Sequence, residues 1–356
     1  MILCLYKPFP GMFILYSCFL IHAGRHVFSQ TVTVNPEGPF VTARVVFYNA
    51  ENLFHPSDDP DRDDDSFTPG GDHHWTFARY RKKLNDIGRC LAMIGVKTPP
   101  AVIGLAEIEN GRVLSDLASQ TILSQANYGI IHKDSPDRRG IDVGILYDPE
   151  IFTPEAYELL SVDTSMYRLF TREMLYVRGL FFGRNTFHLF VVHWPSRRGG
   201  QVGSEKNRIL TAQILKAKVQ VIMKEDSLAN ILIMGDFNDN PDDKSLREVL
   251  NAGKPSGLKD GHSLANLMWE LAAKNEGSYI HQHNFLEWDN LDQILVSGSL
   301  YTGSSGLKID EGKAFIFRPS WLIDRDGLRL FPTYRGPRYL GGFSDHLPVY
   351  TNIVQY

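Results

Sequence analysis

Apolar and polar positions along the chain divide it into short runs rich in β-branched and aromatic residues, with helical patterns between them. The strand signal falls on ARVVFY (43–48), AVIGLAEI (101–108), GIDVGILY (140–147), LYVRGLFF (175–182), TFHLFVVHW (186–194), NILIMGDF (230–237), NLDQILVS (290–297) and HLPVYTNIV (346–354). Several of these runs are apolar on consecutive residues rather than alternating, the pattern of strands buried on both faces. FFGRNTF (181–187) predicts a hairpin turn joining two of them. Leu84, Ile87, Leu91 and Ile94 recur at helical spacing, as do Leu264, Leu267, Met268 and Leu271. A third helix is expected over 204–224, with Leu210, Ile214, Ala217 and Val221 on its buried stripe. Doubly buried strands with interspersed helices predict an α/β protein in which two sheets pack together and helices lie outside. No repeat of solenoid length and no low-complexity linker interrupts the pattern, so a single domain is expected.

The start of the chain breaks this pattern. Lys7 precedes GMFILYSCFLI (11–21), Ser29 follows, and no acidic residue occurs before Glu37. The apolar run is shorter than the ~20 residues of a membrane span, which favours a cleaved export signal over 1–29 and a mature domain over 30–356. Retention as an anchor is the alternative; after cleavage no stable membrane insertion is expected. Export would place the protein in a periplasmic or extracellular space. Cleavage would remove Cys4 and Cys18, leaving Cys90 without a partner for an internal disulfide.

Overall composition is that of an ordinary globular protein, with 43% hydrophobic and 22% charged residues in 356. The formal net charge of −4, which falls to −6 once Lys7 and Arg25 are lost, excludes a general polyanion binder. Recognition of phosphate or nucleic acid must therefore be local.

Chemistry-bearing side chains recur where the strand patterns end: Asn49 and Glu51 in FYNAEN, Glu107 in GLAEIEN, His193 in VVHWPS, Asp236 and Asn238 in GDFN, Asp292 in NLDQ, and Asp345 with His346 in FSDH. Each alone also fits a turn or a satisfied core polar group, but strand tips on a rigid scaffold are where sites are built. Glu107 is the least ordinary, because a carboxylate inside an apolar run is costly unless paired or metal-bound. The acidic run DDPDRDDD (58–65) lacks the glycine and terminal glutamate of an EF-hand loop and reads as a solvated segment.

Taken in order, YNAENLF, LAEIEN, RGIDVGILY, HWPSR, GDFN, LDQILVS and SDHLPV resemble the endonuclease/exonuclease/phosphatase family of deoxyribonuclease-like, metal-dependent phosphoesterases. The resemblance spans Val45 to Val349. It implies a four-layered α/β sandwich, two packed mixed β-sheets flanked by helices, and hydrolysis of a phosphoester by in-line attack of water. Mg²⁺ is the implied cofactor, with Mn²⁺ as an alternative. The resemblance makes Glu107 the principal metal carboxylate; Asn49, grouped with the metal, would orient Glu107 or the phosphate, Asp345 is a second metal contact, and Glu51 is a candidate ligand without a clear counterpart in the family's motif. It makes His193, Asp236, Asn238, Asp292 and His346 the catalytic set: Asp292 positions His346, Asp236 handles the attacking water and Asn238 holds phosphate. Arg139, Arg197, Arg335 and Arg338 are candidate phosphate contacts, since guanidinium matches phosphate in a two-pronged fork. The expected partner is a phosphoester substrate, with nucleic acid the leading candidate; no protein partner is implied. A nuclease-type phosphodiesterase is the expected activity. An inositol-phosphate-type phosphomonoesterase, a sphingomyelinase-like phospholipase and an inactive binding protein on the same scaffold are the alternatives.

Overall fold

A computed structural model describes residues 41–95, 98–162, 171–258, 263–281, 287–324 and 329–356. The expected export signal, 1–29, lies outside the described residues. Every strand expected from sequence forms. The first sheet contains β1 (Val41–Leu53), β2 (Val102–Ile108), β3 (Gly129–His132) and β4 (Asp142–Tyr147). Its order is Leu307–Ile309, Val349–Gln355, β1, β2, β4, β3. The second contains β5 (Phe152–Leu160), β6 (Met174–Phe181), β7 (Asn185–His193) and β8 (Asn230–Asp236), followed in space by Asp292–Ser297, Leu264–Asn266 and Ala252–Gly253. Both sheets are mixed: β1 runs parallel to β2 and β7 parallel to β8, and the other long pairs are antiparallel.

Strand alternation explains the layers. Val45 and Phe47 face Leu189, Val191, Leu232 and Met234 between the sheets, whereas Val46 and Tyr48 point outward against Leu84, Ile87 and Leu91. Those last residues lie on α1 (Phe77–Ile94), which with α2 (Gly111–Ser119) covers the first sheet. The second sheet is covered by α3 (Gln201–Glu225). Helix, sheet, sheet and helix are the four layers the resemblance implies. At Gly104 a Cβ would lie 2.6 Å from the Met234 methyl, so the sheets approach here only because the side chain is missing. The β6–β7 hairpin turns through Phe182 (φ 52°) and Gly183 (φ 72°), as FFGRNTF suggests. Cys90 is a buried free thiol on α1.

Two local expectations are corrected. Leu264–Leu271 is not one helix: Leu264–Asn266 pairs with the strand Asp292–Ser297, and only Trp269–Ala272 is helical. Apolar residues at three- and four-residue spacing also arise where a buried strand runs into a short helix. In α3 the buried face carries Thr211, Ala212, Leu215, Val219, Ile222 and Met223, whereas Val221 is 51% exposed. The same face buries Arg208, which pairs with Asp239 at 2.7 Å, so polar residues conceal the true apolar stripe.

Candidate active site

The site lies where the strand tips of both sheets meet, and two bulges shape it. The β1–β2 register breaks between Asn49 and Leu53, and the β2–β4 register between Ala106 and Ile108. Within these breaks Glu51 (φ 50°), Asn52 (φ 52°) and Glu107 (φ 58°) adopt left-handed backbone, as does Asn238 (φ 52°) beyond β8. Each such residue costs of order 1–2 kcal/mol, and bulges of this kind re-aim side chains. Here the bulge turns Glu107 into the cleft, where its Oε2 accepts the Asn52 N–H at 2.8 Å.

Strand register supplies the floor. The β7–β8 pairing sets His193 opposite Asp236, and pairing of β8 with Asp292–Ser297 sets Asp236 opposite Asp292. His346 enters from the segment before the C-terminal strand, fixed by its bridge to Tyr279 and by its N–H bond to Ser344 Oγ. Its Nδ1 lies 2.7 Å from Asp292 Oδ2, and its Nε2 faces Asp236 at 3.9 Å and Asp345 at 4.0 Å. His193 Nε2 is 3.5 Å from Asp236 Oδ2 and 3.9 Å from Glu107 Oε1. The cleft above has a volume of about 620 Å³ and is lined by arginines as well as by these groups.

Burial and neighbouring charge separate the two histidines. Burial drives His193 well below its ordinary pKa, reinforced by Arg172 and Arg139, so it is neutral near pH 7. Burial alone would do the same to His346, but Asp292, Asp236 and Asp345 overcome it and hold this imidazole well above its usual value, charged. Burial also pushes Asp236 up to about 7; Asp292 and Glu107 add to the rise, while His346 opposes it. Asp345 is likewise raised to about 7 by burial and by the nearby Glu51 and Glu107, although its side chain is 38% exposed to the cleft.

This crowding of carboxylates fits a hard divalent cation. Glu107 is 17% exposed, and its Oε1 has only a long 3.5 Å contact from Asn49 Nδ2. Glu107 and Asp345 both line the cleft and could hold such an ion. The Asp236, Asp292 and His346 donor atoms also come within 4.8 Å of one another. Here His346 is bonded through Nδ1 to Asp292 and held charged by the surrounding carboxylates, an arrangement that also suits contact with substrate and water.

Two of the expected metal contacts are engaged with protein groups. Asn49 is fully buried; its Nδ2 donates to Asp236 Oδ2 at 3.1 Å and its Oδ1 accepts the Glu51 N–H, so it orients Asp236. The Glu51 carboxylate accepts the backbone N–H groups of Thr333 and Tyr334 and pairs with buried Lys83 at 3.7 Å. It anchors the 333–339 hairpin from beneath. Among the phosphate contacts, Arg139 and Arg197 reach the cleft. Arg197 is heavily engaged there, with Asp243 at 3.0 Å and Asn238 O at 2.8 Å.

Arg335 and Arg338 are not among the residues lining the cleft. Tyr334 packs on Phe67, His73 and Trp75, and Tyr339 lies under Arg79, drawing the hairpin onto that aromatic cluster. Arg335 pairs with Asp324, and Arg338 is exposed. Sequence reading missed Arg172, Arg198, Tyr279 and His281, all of which line the cleft. Arg172 is buried, donating to Trp194 O at 2.9 Å and Asp137 Oδ2 at 3.2 Å. A lone arginine before a strand gives no local signal; its partners are 22 and 35 residues away.

Such a site, two packed mixed sheets presenting clustered carboxylates and paired histidines at their tips, defines a metal-assisted phosphoester hydrolase. The sequence profile of the Endonuclease/Exonuclease/phosphatase family matches residues 44–355, and the chain belongs to that family. Similar solved structures include the human Nocturnin catalytic domain with bound sulfate, at 15% identity and a TM-score of 0.55, covering 89% of this chain and 96% of that one. D. rerio TDP2 complexed with a single-strand DNA product is 15% identical with a TM-score of 0.53, over 88% and 98% of the two chains. An endonuclease/exonuclease/phosphatase family protein from Bacteroides thetaiotaomicron is 17% identical with a TM-score of 0.52, over 89% and 99%. These likenesses establish the shared fold. A search of curated protein sequences finds no match.

Proposed function

We propose that the chain is an exported, Mg²⁺-dependent phosphodiesterase of nuclease type. The observation that carries this reading is the Asp292–His346–Asp236 array beside Glu107, at the floor of an arginine-lined cleft. In-line hydrolysis of a phosphoester needs positioning and charge neutralisation rather than covalent help. A divalent ion held by Glu107 and Asp345 would supply neutralisation of the phosphate charge. Asp236, raised to about 7, is poised to take a proton from an attacking water near neutral pH. Charged His346 directs its Nε2–H toward phosphoryl oxygen, held by Asp292 in the tautomer and orientation this requires. Neutral His193 offers a second hydrogen bond without adding charge. Asn238 spends one amide hydrogen on Trp194 O at 3.1 Å and keeps the other for phosphate.

The polymeric-substrate reading draws on the DNA product bound to D. rerio TDP2. It also draws on Arg139, Arg172, Arg197 and Arg198, which line the cleft. Supercoiled DNA, RNA, inositol phosphates, sphingomyelin and bis-p-nitrophenyl phosphate, each with Mg²⁺, Mn²⁺ and Ca²⁺, separate the readings. Nucleic acid and the small diester should be cleaved; turnover confined to inositol phosphates or to lipid would replace this reading with a phosphomonoesterase or a phospholipase. Export rests on the apolar run behind Lys7. N-terminal sequencing of protein from its native host should begin near Gln30, and a chain still starting at Met1 would contradict cleavage. Among the described residues no helix is long and apolar enough to cross a membrane.

A further inference from the structure

The loop between β3 and β4 carries Asp137 and Arg139 toward the cleft, and its two stems bring together a second group of ligand-type side chains. His132 ends one stem, Asp142 begins the other, and Asp134 follows the first. The His132 side chain is only 7% exposed, yet its Nε2 has no hydrogen-bond partner and lies 3.7 Å from Asp142 Oδ2. Its Nδ1 lies 3.8 Å from Asp134 Oδ1. One ligand atom from each of the three residues falls within 4.8 Å of the others.

Asp142 is buried and held by Ser135, whose N–H reaches both carboxylate oxygens at 3.2 Å. Burial pushes this carboxyl up to about 7, and burial pushes His132 down. The pair thus sits side by side in the wall, poorly solvated and not bonded to each other. Asp134 is 65% exposed and opens the group to solvent on one side.

We infer that His132, Asp134 and Asp142 form a second metal site, distinct from the Glu107 centre and suited to Zn²⁺. One imidazole nitrogen with two carboxylates is a zinc-type donor set, and water completes a tetrahedron. Asp142 faces Nε2, and the exposed Asp134, now nearer Nδ1, would swing across to reach the same ion. Donors bound to zinc at 2.0–2.1 Å lie roughly 3.3 Å apart, so the His132–Asp142 separation needs only a slight closure. A hard ion such as Mg²⁺ gains less from the nitrogen. Among the charges around Asp142, Asp134 raises its carboxyl and Arg62 lowers it. Arg62, which donates to Asp137 O at 2.8 Å, opposes the incoming cation and moderates its affinity. A bound ion would clip the stems of the loop and so hold Arg139, and the Asp137 that grips Arg172, at the edge of the cleft.

The test uses the full chain kept saturated with Mg²⁺, dialysed against Zn²⁺ and analysed for bound metal. Wild type should retain about one equivalent of zinc, and so should Glu107→Gln, in which the catalytic carboxylate is altered. His132→Asn and Asp134→Asn should each weaken zinc binding by about 100-fold or more, on the scale seen when a metal's supporting ligands are lost. Asp134 is on the surface, so its variant keeps the fold and separates ligation from unfolding. The inference is overturned if Mg²⁺-saturated protein retains no zinc, if both variants retain it as wild type does, or if Glu107→Gln abolishes it.

Discussion

Replacing Asp292 with Asn removes one charge from beneath His346 without changing the shape of the side chain. At 2.7 Å and an effective dielectric of about 20, the Asp292–imidazolium attraction is about 6 kcal/mol before desolvation is subtracted. Desolvation of two buried ions takes back several kcal/mol, and a charged hydrogen bond nets about 1.5–3 kcal/mol. That corresponds to about one to two pKa units at His346. The sign follows from the direction of the shift: His346 is raised, so its charged form persists at neutral pH and is lost as pH rises through its pKa. In Asp292→Asn the alkaline limb of the rate profile should move down by about one to two units. Turnover near neutrality should fall by about 10²-fold or more, the scale of a lost positioned proton donor. The assay is initial rates on bis-p-nitrophenyl phosphate across pH at saturating Mg²⁺, with the His346 imidazole titrated by NMR. Turnover within about threefold of wild type, together with an unmoved alkaline limb, would refute the reasoning.

Breaking the buried Arg172–Asp137 pair with Arg172→Met should cost about 1–3 kcal/mol of stability, read by denaturant unfolding, because buried Asp137 loses its closest charge partner and keeps only the Arg139 N–H at 3.0 Å and the Arg139 side chain at 3.8 Å. Replacing both Arg335 and Arg338 with Ala should leave the Michaelis constant for DNA or RNA unchanged, since Arg335 faces Asp324 and the hairpin faces the aromatic cluster; a clear rise would return these arginines to the substrate path. Burial and the nearby Glu51 and Glu107 push Asp345 up to about 7, so protons compete with the metal for this carboxylate below that pH. The apparent Mg²⁺ affinity, measured from activity titrations, should weaken as pH falls through about 7, by up to about tenfold per unit for each carboxylate that must ionise. A pH-independent affinity would contradict that competition.

The layers of the fold were legible because consecutive apolar residues mark strands covered on both faces, and every such run became a strand. The strand-tip residues were legible for a related reason. A polar group ending an apolar run calls for partners, and here Asp236, Asp292, His193 and His346 converge, with Asp292 bonded to His346 at 2.7 Å. What sequence could not show depended on backbone re-aiming and distant pairing. The bulges that point Glu107 inward and Glu51 toward Thr333 have no pattern in an apolar run. Arg172 is a cleft residue only because Asp137 and Trp194 O hold it there. The buried Arg208 displaced the apparent stripe of α3, since its charge is cancelled by Asp239 across a tertiary contact. Tyr334 and Tyr339 are partly buried against the aromatic cluster and Arg79, and Arg335 beside them pairs with Asp324, contacts that no local pattern announces.

The central claim is that Glu107 anchors a divalent ion on which phosphoester hydrolysis depends. Its most direct measurement is the Mg²⁺ dependence of bis-p-nitrophenyl phosphate hydrolysis in wild type and Glu107→Gln, with EDTA as the zero point and circular dichroism as the check on folding. Wild-type activity should vanish in EDTA and return with Mg²⁺, and Glu107→Gln should need at least about tenfold more Mg²⁺ while keeping its fold. Full activity in EDTA, or the same Mg²⁺ dependence in both proteins, would contradict the account.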